Sequence, residues 1–197
     1  MKELLNHLLE PQNIMWIVIA LILIISKFGF KLNYISVVDI IENHLNCFKN
    51  SKGKILIVPI VNYMILPFLM GMATTLLEII NNDAINIITV IVSILTAMLF
   101  TLLTMVIDMK AKIKQNPEYF SKEAEVSEKA LLETYYTIMF EILISIILLL
   151  FCFFNCFSKK YGSIQSFLIY SLTYMLVINL MMIIKRMFRV IDTDMKK

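Results

Sequence analysis

The chain is predicted to be an all-α integral membrane protein, a polytopic helical bundle, on three observations. Its 197 residues are 59% hydrophobic and 17% charged, where an ordinary soluble domain is about 45–50% apolar and about 25% charged. Mean hydropathy is +0.81. Several runs exceed the ~18 uncharged residues that mark a spanning helix, the clearest being Ala84 to Ile107, 24 residues between Asp83 and Asp108. At ~1.5 Å per residue such a helix reaches roughly 36 Å, enough for a hydrocarbon core of about 30 Å.

The expected layout is one membrane domain with four strong spans, a shorter N-terminal membrane segment and short helical cytosolic elements. The membrane segments fall at about 12–30, 55–77, 84–108, 135–157 and 163–185. Cytosolic helical segments are expected at about 31–54 and 109–134, with a cytosolic tail at 186–197. Leu4, Leu5, Leu8 and Leu9 share one face of a short interfacial helix ahead of Pro11. Ile14 to Ile25 follows, short for a span but helped by Trp16 and a snorkelling Lys27. No small-residue cleavage site follows it, so it reads as a retained anchor.

Residues 31–54 are amphipathic, with Tyr34, Val38, Ile41, Leu45 and Phe48 spaced four-three-four-three. Asn50-Ser51-Lys52-Gly53 then marks a turn. The span Ile55 to Leu77 carries Pro59, Asn62, Pro67 and Gly71, so its backbone hydrogen bonding is interrupted twice. The link at 78–83 makes a tight hairpin. After Asp108, Asn116-Pro117-Glu118 reads as an N-cap with an N1 proline and a first-turn acid. The helix it starts is expected to run unbroken into the fourth membrane segment. Ser158 to Gly162 turns the chain into the last one.

Lysine and arginine counts set the orientation. Segments 27–54, 109–133 and 185–197 carry five each, against three on the other side. That bias places the first group and the C-terminus in the cytoplasm. The N-terminus lies outside with five spans and inside with four.

Polar residues within the spans are the candidate sites. Asn86, Thr89, Ser93, Thr96, Thr101 and Thr104 recur mostly three or four apart and share a helix face with Asp108. This seam should turn from the acyl chains, to pack another helix, to line a water or ion path built from several copies, or to border a substrate cavity. Ser and Thr also bond their own helix carbonyls, which weakens a pore reading. Glu141 follows Tyr135 and Tyr136. Inside the apolar zone it is a proton- or cation-sensitive site or an oligomer contact; with later membrane entry it sits at headgroup level.

Lys110, Lys112 and Lys114, with Lys185, Arg186 and Arg189, are placed to hold lipid headgroups. Glu118, Glu123, Glu125 and Glu128 lie farther from the membrane, on a helix that docks a cytoplasmic partner or is a solvated connector. Direct nucleic-acid binding is not expected. Neither is catalysis, a cofactor or a metal: His7 and His44 have no partners in motif register, and His44 with Cys47 gives only two ligands, an ordinary helix-surface pair. Cys152 and Cys156, one turn apart in an apolar run, suit packing and not a disulfide.

This compact multi-span layout with short cytosolic elements resembles the membrane subunit of the bacterial anti-phage Kiwa system, a four-span family. The resemblance is of layout, and no sequence motif or functional residue is carried over. It implies an inner-membrane assembly that oligomerises, senses infection and works with a cytoplasmic, DNA-binding partner. The alternatives are an ion-conducting defence effector and a bacteriocin-immunity or transport component.

Overall fold

The computed structural model describes residues 37–50, 53–115, 122–155 and 161–195. The chain divides into two units, Met1–Asp39 and Ile40–Lys197. Nearly all of the first, including the short N-terminal membrane segment and the interfacial helix expected before it, lies outside the described residues. The Asn116-Pro117-Glu118 start signal lies outside them too. Among the described residues the architecture is helical, with one isolated antiparallel bridge, Lys49 to Ile55, and no strand.

Helix α1, Val38–Asn46, is followed by the predicted turn. Gly53 takes φ 73°, a left-handed conformation that suits glycine. Asn50 closes the turn, its Oδ1 accepting the Lys54 N–H at 2.9 Å. Helix α2, Ile57–Leu77, contains a π-helical stretch at Val61–Ile65. There the Leu66 N–H bonds the Val61 carbonyl five residues back. The widened turn sits directly before Pro67, whose ring would clash with a carbonyl in a regular α-helix and which has no N–H to give.

Residues 78–81 then cross to α3, Asn82–Gln115. Asn81 caps it: its Oδ1 accepts the Ala84 N–H at 2.8 Å. Helix α4, Lys122–Asn155, and helix α5, Ser163–Met195, complete the bundle. Gly162 and Gln165 start α5 by the capping-box logic, with Gln165 Oε1 accepting the Gly162 N–H at 2.9 Å. The residues expected as a tail beyond the last span continue α5 to Met195.

Helices α3, α4 and α5 share the core. On α3 the buried residues are Ile85, Ile88, Val92, Leu99 and Val106, with half-buried Leu95 and Leu102 completing a three-four repeat. On α4 the buried line is Leu131, Thr134, Ile138, Glu141, Ser145, Leu148, Cys152 and Asn155, at the same spacing. A 3.5-residue period is the packing rule of left-handed helix pairs. Helix α2 lies against α5, where Gly71 meets Ser171 so closely that a Cβ on the glycine would stand 2.8 Å from the serine Cα. Beside it the Thr74 and Tyr174 hydroxyls meet at 2.9 Å. Small residues and hydroxyl pairs are how spanning helices approach closely without a hydrophobic drive.

Among the described residues four helices are long and apolar enough to cross a membrane: Ile57–Leu77, Asn82–Ile113, Val126–Asn155 and Ser163–Asp192. Exposed Ile57, Val58, Leu69, Leu76 and Leu77 on α2 and Ile87, Val90, Ile91 and Ile94 on α3 suit lipid contact.

Candidate functional site

The polar residues of α4 form a ladder. Glu133, Thr137 and Glu141 stand four apart, so they share one face. On antiparallel α5 that face meets Arg186 and Asn179, seven apart. Arg186 Nη1 donates to the Glu133 carbonyl at 2.9 Å and to Thr137 Oγ1 at 2.6 Å, while Nη2 lies 3.5 Å from Glu133 Oε2. Thr137 passes its own hydrogen to the Glu133 carbonyl at 2.8 Å. Two turns deeper, Asn179 Nδ2 donates to Glu141 Oε1 at 2.6 Å. Glu141 is 1% exposed and Asn179 0%. Their other oxygens, Glu141 Oε2 and Asn179 Oδ1, have no hydrogen-bond partner among the described residues. Each such orphan costs roughly 1–3 kcal/mol, more if charged.

Helix α1 closes the ladder on a third side. His44 is 0% exposed and stacks on Phe140, centroids 4.0 Å apart and planes 2° from parallel. Phe48 stands edge-on to it at 5.1 Å. Neither imidazole nitrogen finds a partner among the described residues. Burial, with the nearby Arg186 charge second, lowers the His44 pKa to about 3, so the ring is neutral. Cys47 donates its thiol to the Asn43 carbonyl at 3.2 Å and reaches the Glu133 carbonyl at 3.9 Å. Burial first, and then Glu133 against the opposing pull of Arg186, raise its pKa to about 11. The expected helix-surface pair is therefore a correction: His44 is buried between Phe140 of α4 and Phe48, while Ile41 and Leu45 of the expected apolar face are exposed. Arg186, expected at the headgroups, turns inward onto Glu133 and Thr137, its side chain 15% exposed.

The α3 seam lies elsewhere. Asn86, Ser93, Thr101, Thr104 and Asp108 are exposed, and Thr89 and Thr96 are half-buried. The seam looks away from the line of Ile85, Ile88, Val92, Leu99 and Val106, and no bond to another helix engages its hydroxyls among those described. Each donates within α3 instead: Thr89 to Ile85 at 2.7 Å, Ser93 to Thr89 at 2.7 Å, Thr96 to Val92 at 2.6 Å, Thr101 to Ala97 at 3.2 Å and Thr104 to Thr101 at 2.8 Å. Such back-bonding satisfies the donors and leaves acceptor lone pairs outward.

Lys112, Lys185 and Arg189 are exposed, and Lys110 and Glu128 half-buried. The side chains of Lys114, Glu123 and Glu125, and all of Glu118, lie outside what the structure describes. Among the described residues no group of three His, Cys, Asp or Glu converges as metal ligands would. The ladder joins residues the sequence separates widely. Asn179 escaped the sequence reading, although an Asn within the apolar run LTYMLVINLMMII is itself a signal. Its pairing with Glu141, 38 residues away, had no local signature. Chemically the arrangement offers a buried carboxyl, an amide and an engaged guanidinium linking α4 and α5. Comparison with protein-family models, with curated proteins and with solved structures finds no match.

Proposed function

We propose that this chain is a bacterial inner-membrane sensor or scaffold of an anti-phage defence complex, with a cytoplasmic C-terminus. It oligomerises in the bilayer and docks a cytoplasmic protein on the charged ends of α3, α4 and α5. This is the role that the resemblance of its layout to the Kiwa membrane subunit implies. One observation carries the reading: the core continues past the uncharged runs at 84–107, 142–158 and 164–184 into the charged ends of the same helices. Leu99, Val106, Leu131, Ile183, Met187 and Val190 belong to one buried cluster, flanked by Met109 and Ile113. Helices α3 and α4 have 34 residues each, about 51 Å at ~1.5 Å per residue, against about 30 Å of hydrocarbon. They therefore extend beyond the bilayer at the end where Asp108, Lys110, Glu128 and Arg189 lie. A packed extension of this kind transmits a shift of the spans to whatever is bound there.

The test is co-purification from native membranes. Charge reversal at Glu123, Glu125 and Glu128 should remove the cytoplasmic partner while the thermal midpoint of the chain holds. An unchanged set of co-purifying proteins defeats the docking surface. The outward α3 seam favours a second reading, an ion-conducting effector in which several copies turn their seams to a central path. Thr96→Leu with Thr104→Leu should then abolish ion flux in liposomes. Flux that is absent from wild type, or untouched by the pair, removes that reading.

A further inference from the structure

We propose that Glu141 and Asn179 form an intramembrane site for one monovalent cation, a proton or a sodium ion, held between Glu141 Oε2 and Asn179 Oδ1. The two groups already touch through Asn179 Nδ2 and Glu141 Oε1, 2.6 Å apart. What remains of each is an oxygen with lone pairs and no donor facing it among the described residues. The neighbouring donors are spent. Thr137, one turn before Glu141, gives its hydrogen to the Glu133 carbonyl, and Ser145, one turn after, gives its own to the Ile142 carbonyl. A single positive particle satisfies both oxygens at once and removes the charge of a carboxylate shut away from water. As a proton it completes a cyclic acid–amide pair, in which the acid hydroxyl donates to the amide oxygen. As sodium it takes both oxygens as ligands. The ionisable surroundings are few. Helix α3 has no titratable side chain between Asp83 and Asp108, α5 adds Tyr174, bonded towards α2, and Arg186, bonded to Glu133 and Thr137, and α1 adds His44, with Cys47 after it. Among the described residues no cationic side chain bonds or pairs with Glu141, leaving the compensation to a small ion. The site holds or fails whether or not a cytoplasmic protein binds this chain.

The experiment follows the unfolding midpoint of the purified full-length chain in detergent from about pH 5 to about pH 9, in choline, sodium and potassium salts. Glu141→Gln is the comparison, since its amide is uncharged and can donate to Asn179 Oδ1. In choline the wild-type midpoint should fall with rising pH, on the order of 5 °C more than that of Glu141→Gln. The sign follows from linkage, because a fold that holds the proton loses stability as protons become scarce. Recovery with sodium and not with potassium identifies sodium; no difference among the salts identifies the proton. A wild type that runs parallel to Glu141→Gln at every pH and in every salt overturns the proposal. If Glu141→Gln does not fold, infrared spectroscopy of wild type labelled with carbon-13 at glutamate decides. A buried glutamate carbonyl band that changes with pH or sodium supports the site, and one that answers to neither overturns it.

Discussion

His44 enters its cleft as a neutral ring, stacked on Phe140 and edged by Phe48, with both nitrogens unbonded among the described residues. Its folded pKa of about 3 lies below the ordinary imidazole value of 6.5. The unfolded chain therefore binds a proton that the folded chain refuses, so this contribution is complete above pH 6.5 and drains as pH falls towards 3. Each pH unit in that window costs about 1.4 kcal/mol, roughly tenfold in the folding equilibrium. His44→Phe keeps the stack, discards the orphaned nitrogens, and should flatten the acid limb of stability against pH in denaturant titrations in detergent. Cys47 gives a second expectation at this scale. A thiol raised from 9.0 to about 11 holds about a hundredfold less thiolate at neutral pH. Maleimide should label it about that much more slowly in the folded chain than after denaturation. The neighbouring exposed Asn46, changed to Cys, is thus the better probe of orientation: it should resist impermeant reagent in intact cells and react after lysis.

At the scale of elements, α2 and α5 are joined at one very close point. Gly71 has no room for a Cβ against Ser171, and the Thr74–Tyr174 pair lies one turn on. Gly71→Ala should force the helices apart and cost about 1–3 kcal/mol, read as a lower unfolding midpoint. Gly53→Ala should act differently: nothing crowds a Cβ there, but φ 73° penalises any L side chain, on the order of 1 kcal/mol. The four long apolar helices were legible in the sequence. Apolar runs, the 50–53 turn and the link at 78–83 identify themselves through local composition. The π-helical turn before Pro67 was legible only as an interruption, because a proline states what it cannot bond and not how the chain adjusts. Periodicity grouped the polar residues of α3 on one face, yet said nothing of which helix would cover any face.

For the whole molecule the same distinction holds. Helix faces are local properties, readable at 3.6 residues per turn, whereas partners are set by packing between distant segments. Glu141 was recognisable as a charge beside an apolar run, either inside the apolar zone or at headgroup level, but its burial against Asn179 and the inward turn of Arg186 needed the register of α4 on α5. The described bundle places polar groups in two very different settings. The α4–α5 ladder is internal and engaged, while the α3 seam is external and self-bonded. A bulky apolar substitution on the seam, Ser93→Leu with Thr101→Leu, should leave the monomer's unfolding midpoint nearly unchanged while lowering the oligomer size measured by cross-linking in native membranes. An equal loss of both would place the seam's role within the single chain.

The link between α2 and α3 sets how the bundle can move. Ile80 is buried and donates its N–H to Ser166 Oγ at 3.0 Å, and Tyr161 donates to Asn82. The starts of α3 and α5 and the end of α2 are thereby bolted together at one extremity. Such a bolt is a pivot, and the helices running from it are levers about 50 Å long. A tilt of about 5° at the pivot carries the far ends about 4 Å, roughly the width of a side chain. Displacement is smallest at Ile80 and greatest around Asp108 and Arg189, so a slight change in the membrane would be read at full stroke on the opposite side.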